Sequence, residues 1–168
     1  DDELVARPRC LGIGTTETSR VAPFADIERP GEPAWGSWHP GGPERLEAVQ
    51  RALADVLTRQ DLQKVGWNEG LFDRTVADRV LGVIPAPATD LILAHHLCWP
   101  ELPHSLDFAG RTFFDVFAWK KGHAATQART NRELWEYNGL GDLPVTARLA
   151  AVIWPELAKR GVRHLYDV

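Results

Sequence analysis

Cysteine is scarce in this chain, with two residues, Cys10 and Cys98, among 168. They are too few and too isolated for a disulfide framework or a zinc site. Both lie in apolar stretches, Cys10-Leu-Gly-Ile13 and His96-Leu-Cys-Trp99, which predicts buried thiols in a reducing compartment. No run approaches the roughly 18 apolar residues of a membrane span. The opening Asp1-Asp2-Glu3 is acidic where a secretory signal is basic. Positive charge is also short. Nineteen Lys and Arg against 23 Asp and Glu leave a net charge of −4, which argues against a nucleic-acid-coating protein but not against a nuclease, whose metal site is itself acidic. Gly12-Ile-Gly14 lacks the lysine and the following helix of a phosphate loop. No Ser-His-Asp or Cys-His set has convincing spacing.

What remains is ordinary globular composition, 44% hydrophobic and 25% charged, in a length that suits one domain with a sizeable core. Arg9-Cys-Leu-Gly-Ile-Gly14 and Arg20-Val-Ala-Pro-Phe24 read as two strands of a hairpin across Thr15–Ser19. Residues 26–43 carry Pro30, Pro33, Pro40 and Pro43 among several glycines, and read as a surface loop. Trp35 and Trp38 in that loop suit either packing beneath it or stacking on single-stranded bases. Leu46, Val49, Leu53, Val56 and Leu57 recur at helical spacing, so a helix is predicted over 43–59 with Pro43 in its first turn. A short strand is predicted over 62–65 and an amphipathic helix over 71–81. Thr89-Asp90 suits a cap for a helix over 91–97. His104 to Phe108 reads as a short helix and 110–125 as loop. Helices are predicted over 127–138 and from about Val145, the last kinked or ended by Pro155. His95 and His96 point to different faces of their helix, which disfavours a shared metal and leaves core or surface histidines. The expected class is α/β, a small mixed sheet with the hairpin at its middle and helices around it.

Two segments carry the chemistry. Lys64-Val-Gly-Trp-Asn-Glu-Gly-Leu-Phe-Asp73 runs from a strand through a turn into a helix, with an aspartate in the first helical turn. Trp135-Glu-Tyr-Asn-Gly-Leu-Gly-Asp142 is the second. Together they resemble motifs II and III of the DEDD-type 3′–5′ exonucleases, in the version carried by family A DNA polymerases. The family pattern is Val-Gly-His-Asn-x-x-Phe-Asp, then Tyr-x-x-x-Asp on a later helix. The hairpin, the helix 43–59, Thr89-Asp-Leu-Ile-Leu93 and His104-Ser-Leu106 follow in the family's order, so the resemblance spans most of the chain.

The resemblance implies a ribonuclease H-like fold and two-metal phosphodiester hydrolysis, with Mg²⁺ or Mn²⁺ about 3.5–4 Å apart. It assigns Asp73 as the motif II carboxylate, Tyr137 as the water-orienting hydroxyl, Asp73 and Asp142 as metal ligands, and Asn68 as a polar contact near the substrate. Lys120 and Lys121 lie in an acid-free stretch, Val116 to Arg132, that reads either as a solvated loop or as a phosphate-contacting edge. The implied partners are a single-stranded DNA 3′ end and the polymerase domain of a longer parent chain, in the cytoplasm of a bacterial or phage-infected cell and without a membrane.

The match has departures. Asp1-Asp2-Glu3 and Asp26-Ile-Glu28 fit the Asp-x-Glu of motif I literally, but the first lacks a preceding strand and the second leaves no room for two further strands. Motif I is therefore expected upstream, in keeping with a domain excised from a longer protein. One extra residue separates Asn68 from Asp73, Trp67 replaces the usual histidine, and Asp142 falls five residues after Tyr137, with Gly141 in the aspartate position. On a straight α-helix that offset turns Asp142 about 140° away from Tyr137. A proofreading fold with a degraded nuclease site is expected. The alternatives are an inactive structural domain supporting the polymerase and a free-standing ribonuclease D-like enzyme.

Overall fold

The computed structural model describes residues 8–32, 34, 41–117, 119–120 and 128–167. The acidic start, Trp35, Trp38, Lys121 and His123 lie outside the described residues. Strand β1 (Cys10–Gly14) pairs antiparallel with β2 (Ser19–Pro23), Gly14 opposite Ser19. Thr15 closes the turn: its hydroxyl accepts from the Thr18 N–H at 3.1 Å, a local side-chain bond that favours the reversal. The predicted hairpin thus forms. The predicted strand 62–65 is shorter and later, β3 (Val65–Gly66), and pairs in parallel with β4 (Thr89–Asp90).

The fold is mixed α/β, but the strands make two separate two-stranded sheets. The expected single sheet with the hairpin at its centre is not formed among the described residues. The reason is local. The turn after Gly66 stops β3 at once, and β4 runs straight into a helix capped by its own last residue.

Helices supply most of the core. Helix α1 (Gly42–Thr58) carries Pro43 in its first turn and buries Leu53, with Leu46, Val49, Val56 and Leu57 half-buried. Helix α2 (Arg74–Leu81) ends at Gly82, whose φ of 65° is the left-handed stop that glycine favours. Helix α3 (Leu91–Cys98) is capped by Asp90, as its spacing predicts, and α4 (Leu106–Phe113) by Ser105. Helix α4 therefore runs into the stretch expected as loop. Helix α5 (Asn131–Glu136) is capped by Thr130. Helices α6 (Leu143–Lys159) and α7 (Arg163–Tyr166) complete the described chain.

Val145, Leu149, Ile153 and Leu157 recur every fourth residue along α6, and all four are buried. They meet Leu91, Ala94 and Cys98 of α3, Leu106 and Ala109 of α4, and Trp119 in one cluster. Cys98 is a buried thiol and Cys10 a half-buried one, both free. Burial pushes the Cys10 thiol up to about 11, against the opposing charge of Arg9, so both cysteines behave as apolar packing groups.

Of the two expected outcomes at Pro155, a kink or an end, the helix does not end there: α6 continues to Lys159. Ala151, whose carbonyl loses its helical donor, is exposed, as is Pro155. Water can satisfy that carbonyl while Ile153 and Leu157 anchor the helix on either side. Two substitutions separate these effects in urea unfolding. Ile153→Ala is expected to cost about 2–5 kcal/mol through a core cavity. Pro155→Ala is expected to stabilise the chain, because it restores a helical N–H at a site where interior proline costs about 3 kcal/mol. Loss of stability in Pro155→Ala would contradict this account of the helix.

Candidate active site

Beyond Gly66 the chain turns through Trp67 and Asn68. Asn68 has φ 64°, the left-handed region, and is the non-glycine residue with positive φ among the described residues. Asparagine tolerates that region better than most side chains. Asp90 holds the turn. Its Oδ1 accepts from the Asn68 N–H at 2.9 Å and the Ile92 N–H at 3.1 Å, and its Oδ2 from the Gly70 N–H at 3.2 Å. Asp90 is buried, so one carboxylate satisfies three amides at the starts of two helical segments with charge-assisted bonds.

The segment Glu69–Asp73 is a single π-helical turn that passes into α2. Its i→i+5 winding takes up one more residue than an α-turn. The one extra residue between Asn68 and Asp73, relative to the family pattern, is absorbed there.

The second departure has the same resolution. Tyr137–Asp142 is again π-helical, between α5 and α6. With about 4.4 residues per π-turn, Tyr137 and Asp142 stand roughly 50° apart instead of 140°. Gly139 and Gly141 are both buried. A Cβ at residue 141 would stand 2.2 Å from Trp119 Cδ1, so only glycine fits beneath that indole. Trp119 Nε1 in turn donates to Asp142 Oδ1 at 2.7 Å. Lys120 Nζ lies 3.1 Å from the same oxygen and 5.6 Å from the centre of the Tyr137 ring. The Ser19 hydroxyl donates to the Gly139 carbonyl at 2.6 Å and ties the hairpin to this turn.

The two turns meet electrostatically. The Asp73 carboxyl is pushed up to about 6, first by loss of hydration and then by the charges of Glu69, Asp90 and Asp142. Asp73 is exposed as a residue, yet loss of hydration at its carboxyl leads, and the neighbouring acids add to it. Glu69 is raised by burial and by Asp90, against Arg74 and Lys64. Tyr137 is raised by burial and by Asp142, while Lys120 opposes. Asp142 therefore acts on both Asp73 and Tyr137, residues that the sequence assigns to one site.

Several oxygens of this acidic cleft are already engaged within the chain. Asp142 Oδ1 already serves an indole and an ammonium, and both Asp90 oxygens are taken by backbone amides. Among the described residues no three or more His, Cys, Asp and Glu side chains are placed to hold one metal ion. Asp26 and Glu28 serve elsewhere: Asp26 Oδ1 accepts from Asn131 Nδ2 at 2.8 Å and Glu28 Oε2 from the Asn131 N–H at 3.0 Å. They clamp the start of α5.

Asn68 is exposed and displays its side chain beside the turn. Lys120 is half-buried in the cleft, while in the same acid-free stretch Arg132 pairs with Glu136. The sequence reading missed Trp119 and Glu69 and saw Asp90 only as a cap. Its cap signal was legible, but its reach back across 20 residues to Gly70 was not. No protein family, curated protein or solved structure matches this chain.

Two tests probe this geometry. Asp90→Ala is expected to cost about 1–3 kcal/mol, because it removes the acceptor of three part-buried amide donors, and to speed hydrogen exchange at Asn68 and Gly70. Unchanged exchange there would contradict the clamp. Asp73 titrates higher folded than unfolded, from an ordinary 3.8 to about 6. The folded state therefore holds more protons between those values, and stability falls as pH rises through them. Asp73→Asn is expected to be more stable than the parent at pH 7.5, with the difference vanishing near pH 4. A carbon NMR titration of Asp73 with a midpoint below 4.5 would contradict it.

Proposed function

We propose that this chain is a 3′–5′ exonuclease-like domain of the kind attached to family A DNA polymerases, with a ribonuclease H-like ancestry and a nuclease site closed by its own side chains. The observation that carries the reading is the pair of π-helical turns. Each falls where the sequence has one residue too many for its motif, and together they bring Asp142 within electrostatic reach of both Asp73 and Tyr137.

The closure rests on Lys120 and Trp119. An ammonium 3.1 Å from Asp142 and an indole N–H at 2.7 Å on the same oxygen engage one of the two carboxylate oxygens that a hard divalent cation would compete for. Hydrolysis by two metals depends on carboxylates placed to within about 1 Å, and such misplacement can cost 10²-fold. The role left to such a domain is to support an attached polymerase domain and to receive a single-stranded 3′ end without cutting it.

Two measurements test this. In Mg²⁺ or Mn²⁺ the chain is expected to show no more than trace 3′–5′ degradation of end-labelled single-stranded DNA. Robust laddering, abolished by Asp73→Ala or Asp142→Ala, would show an intact site. Separately, a short oligonucleotide with a free 3′ hydroxyl is expected to shift the backbone NMR signals of 68–73 and 137–142. No shift in either turn at millimolar oligonucleotide would remove the nucleic-acid reading itself.

A further inference from the structure

Away from the acidic cleft, three histidines form a chain. His95 Nδ1 lies 2.8 Å from His104 Nδ1, and His96 Nδ1 lies 2.8 Å from His104 Nε2. His95 and His96 do point to different faces of α3, one buried and one exposed, but His104 reaches both from the loop before α4. That loop is held in place: the His104 carbonyl accepts from Trp67 Nε1 at 3.1 Å.

The surroundings of His95 decide where the protons sit. Its Nε2 is buried without a hydrogen-bond partner. The ring stands among Trp67, Trp99 and Phe113, at centroid distances of 5.7, 5.2 and 6.4 Å. Aromatic faces attract an N–H and repel a lone pair, so the proton of neutral His95 belongs on Nε2. Nδ1 then accepts from the Nδ1–H of His104. That leaves His104 Nε2 as a lone pair directed at His96. His96 Nδ1–H then donates to it at 2.8 Å, and because His96 is exposed its proton can move to the water-facing Nε2 when a cation takes its place between the two nitrogens.

Ring geometry separates the two contacts. Imidazoles sharing a proton head-on at this nitrogen separation stand with centroids about 5 Å apart. The His95–His104 pair is at 5.0 Å and fits. The His96–His104 pair is closer, at 4.5 Å with planes at 60°, so it departs from the head-on arrangement. We propose that His96 Nδ1 and His104 Nε2 bind a divalent transition-metal ion of the Zn²⁺, Ni²⁺ or Cu²⁺ class, with water completing its shell. Imidazole suits these ions. The His104–His95 contact supplies the outer hydrogen bond that orients a metal-bound histidine. Two nitrogens on one tetrahedral ion at 2.0–2.1 Å stand about 3.3 Å apart, so the gap must open by about 0.5 Å, and the exposed His96 is free to give it.

The probe is ZnCl₂ by isothermal titration calorimetry at pH 7.5, with CuCl₂ line broadening in NMR spectra to locate the ion. One ion per chain is expected, with broadening centred on His96 and His104. His96→Ala, an exposed change that leaves the core intact, is expected to weaken Zn²⁺ binding at least tenfold. His164→Ala, on the exposed side of α7, is expected to leave it unchanged. Binding is expected to weaken as pH falls from 7.5 to 5, because protons compete for the same lone pairs. The proposal is overturned if the parent chain fails to bind Zn²⁺ below about 1 mM, or if His96→Ala binds within twofold of it.

Discussion

The buried carboxylate of Asp90 is the contact on which the site depends. It accepts from the amides of Asn68, Gly70 and Ile92, so the left-handed turn, the first π-turn and α3 share one anchor. Its backbone joins a fourth segment. The Asp90 N–H donates to the Tyr166 hydroxyl at 2.7 Å, and that hydroxyl donates to the Asp90 carbonyl at 3.3 Å. A strand of two residues could not position a cleft by its ladder alone. Here the ladder contributes little, and a charged acceptor under low exposure holds the turn against the strain of a positive φ.

The two π-turns are each followed directly by an α-helix, α2 and α6. A π-turn holds one more residue than an α-turn, so each widens the winding just before a helix that packs on the core. Buried glycines at 139 and 141 cost backbone entropy, about 0.5–1 kcal/mol each relative to alanine. Trp119 offsets that cost. It fills the space over Gly141, joins the core cluster and bonds Asp142.

A concentration of acids as tight as Glu69, Asp73, Asp90 and Asp142 repels itself. The chain relieves the repulsion in two ways: amides on Asp90, and an ammonium and an indole on Asp142. These contacts engage both oxygens of Asp90 and one of Asp142.

Much of the local structure was determined by the sequence alone. The hairpin, the stripes of α1 and α6, the Asp90 cap and the first turn at Pro43 are set by spacing over a few residues, where backbone and side-chain preferences act directly. The order of the two acidic segments was legible in the same way. Only the tertiary structure decided the rest. The strands form two sheets instead of one, two turns wind as π-helix, Pro155 sits inside a helix, and His104 joins His95 to His96. Lys120 reads as a surface charge in the sequence and turns inward to Asp142. Each of these depends on a partner distant in the chain: Gly141 on Trp119, Asn68 on Asp90, α6 on the core cluster either side of Pro155. Spacing encodes what neighbours along the chain can do. Where a helix widens or a charge turns inward is set by the packing that surrounds it.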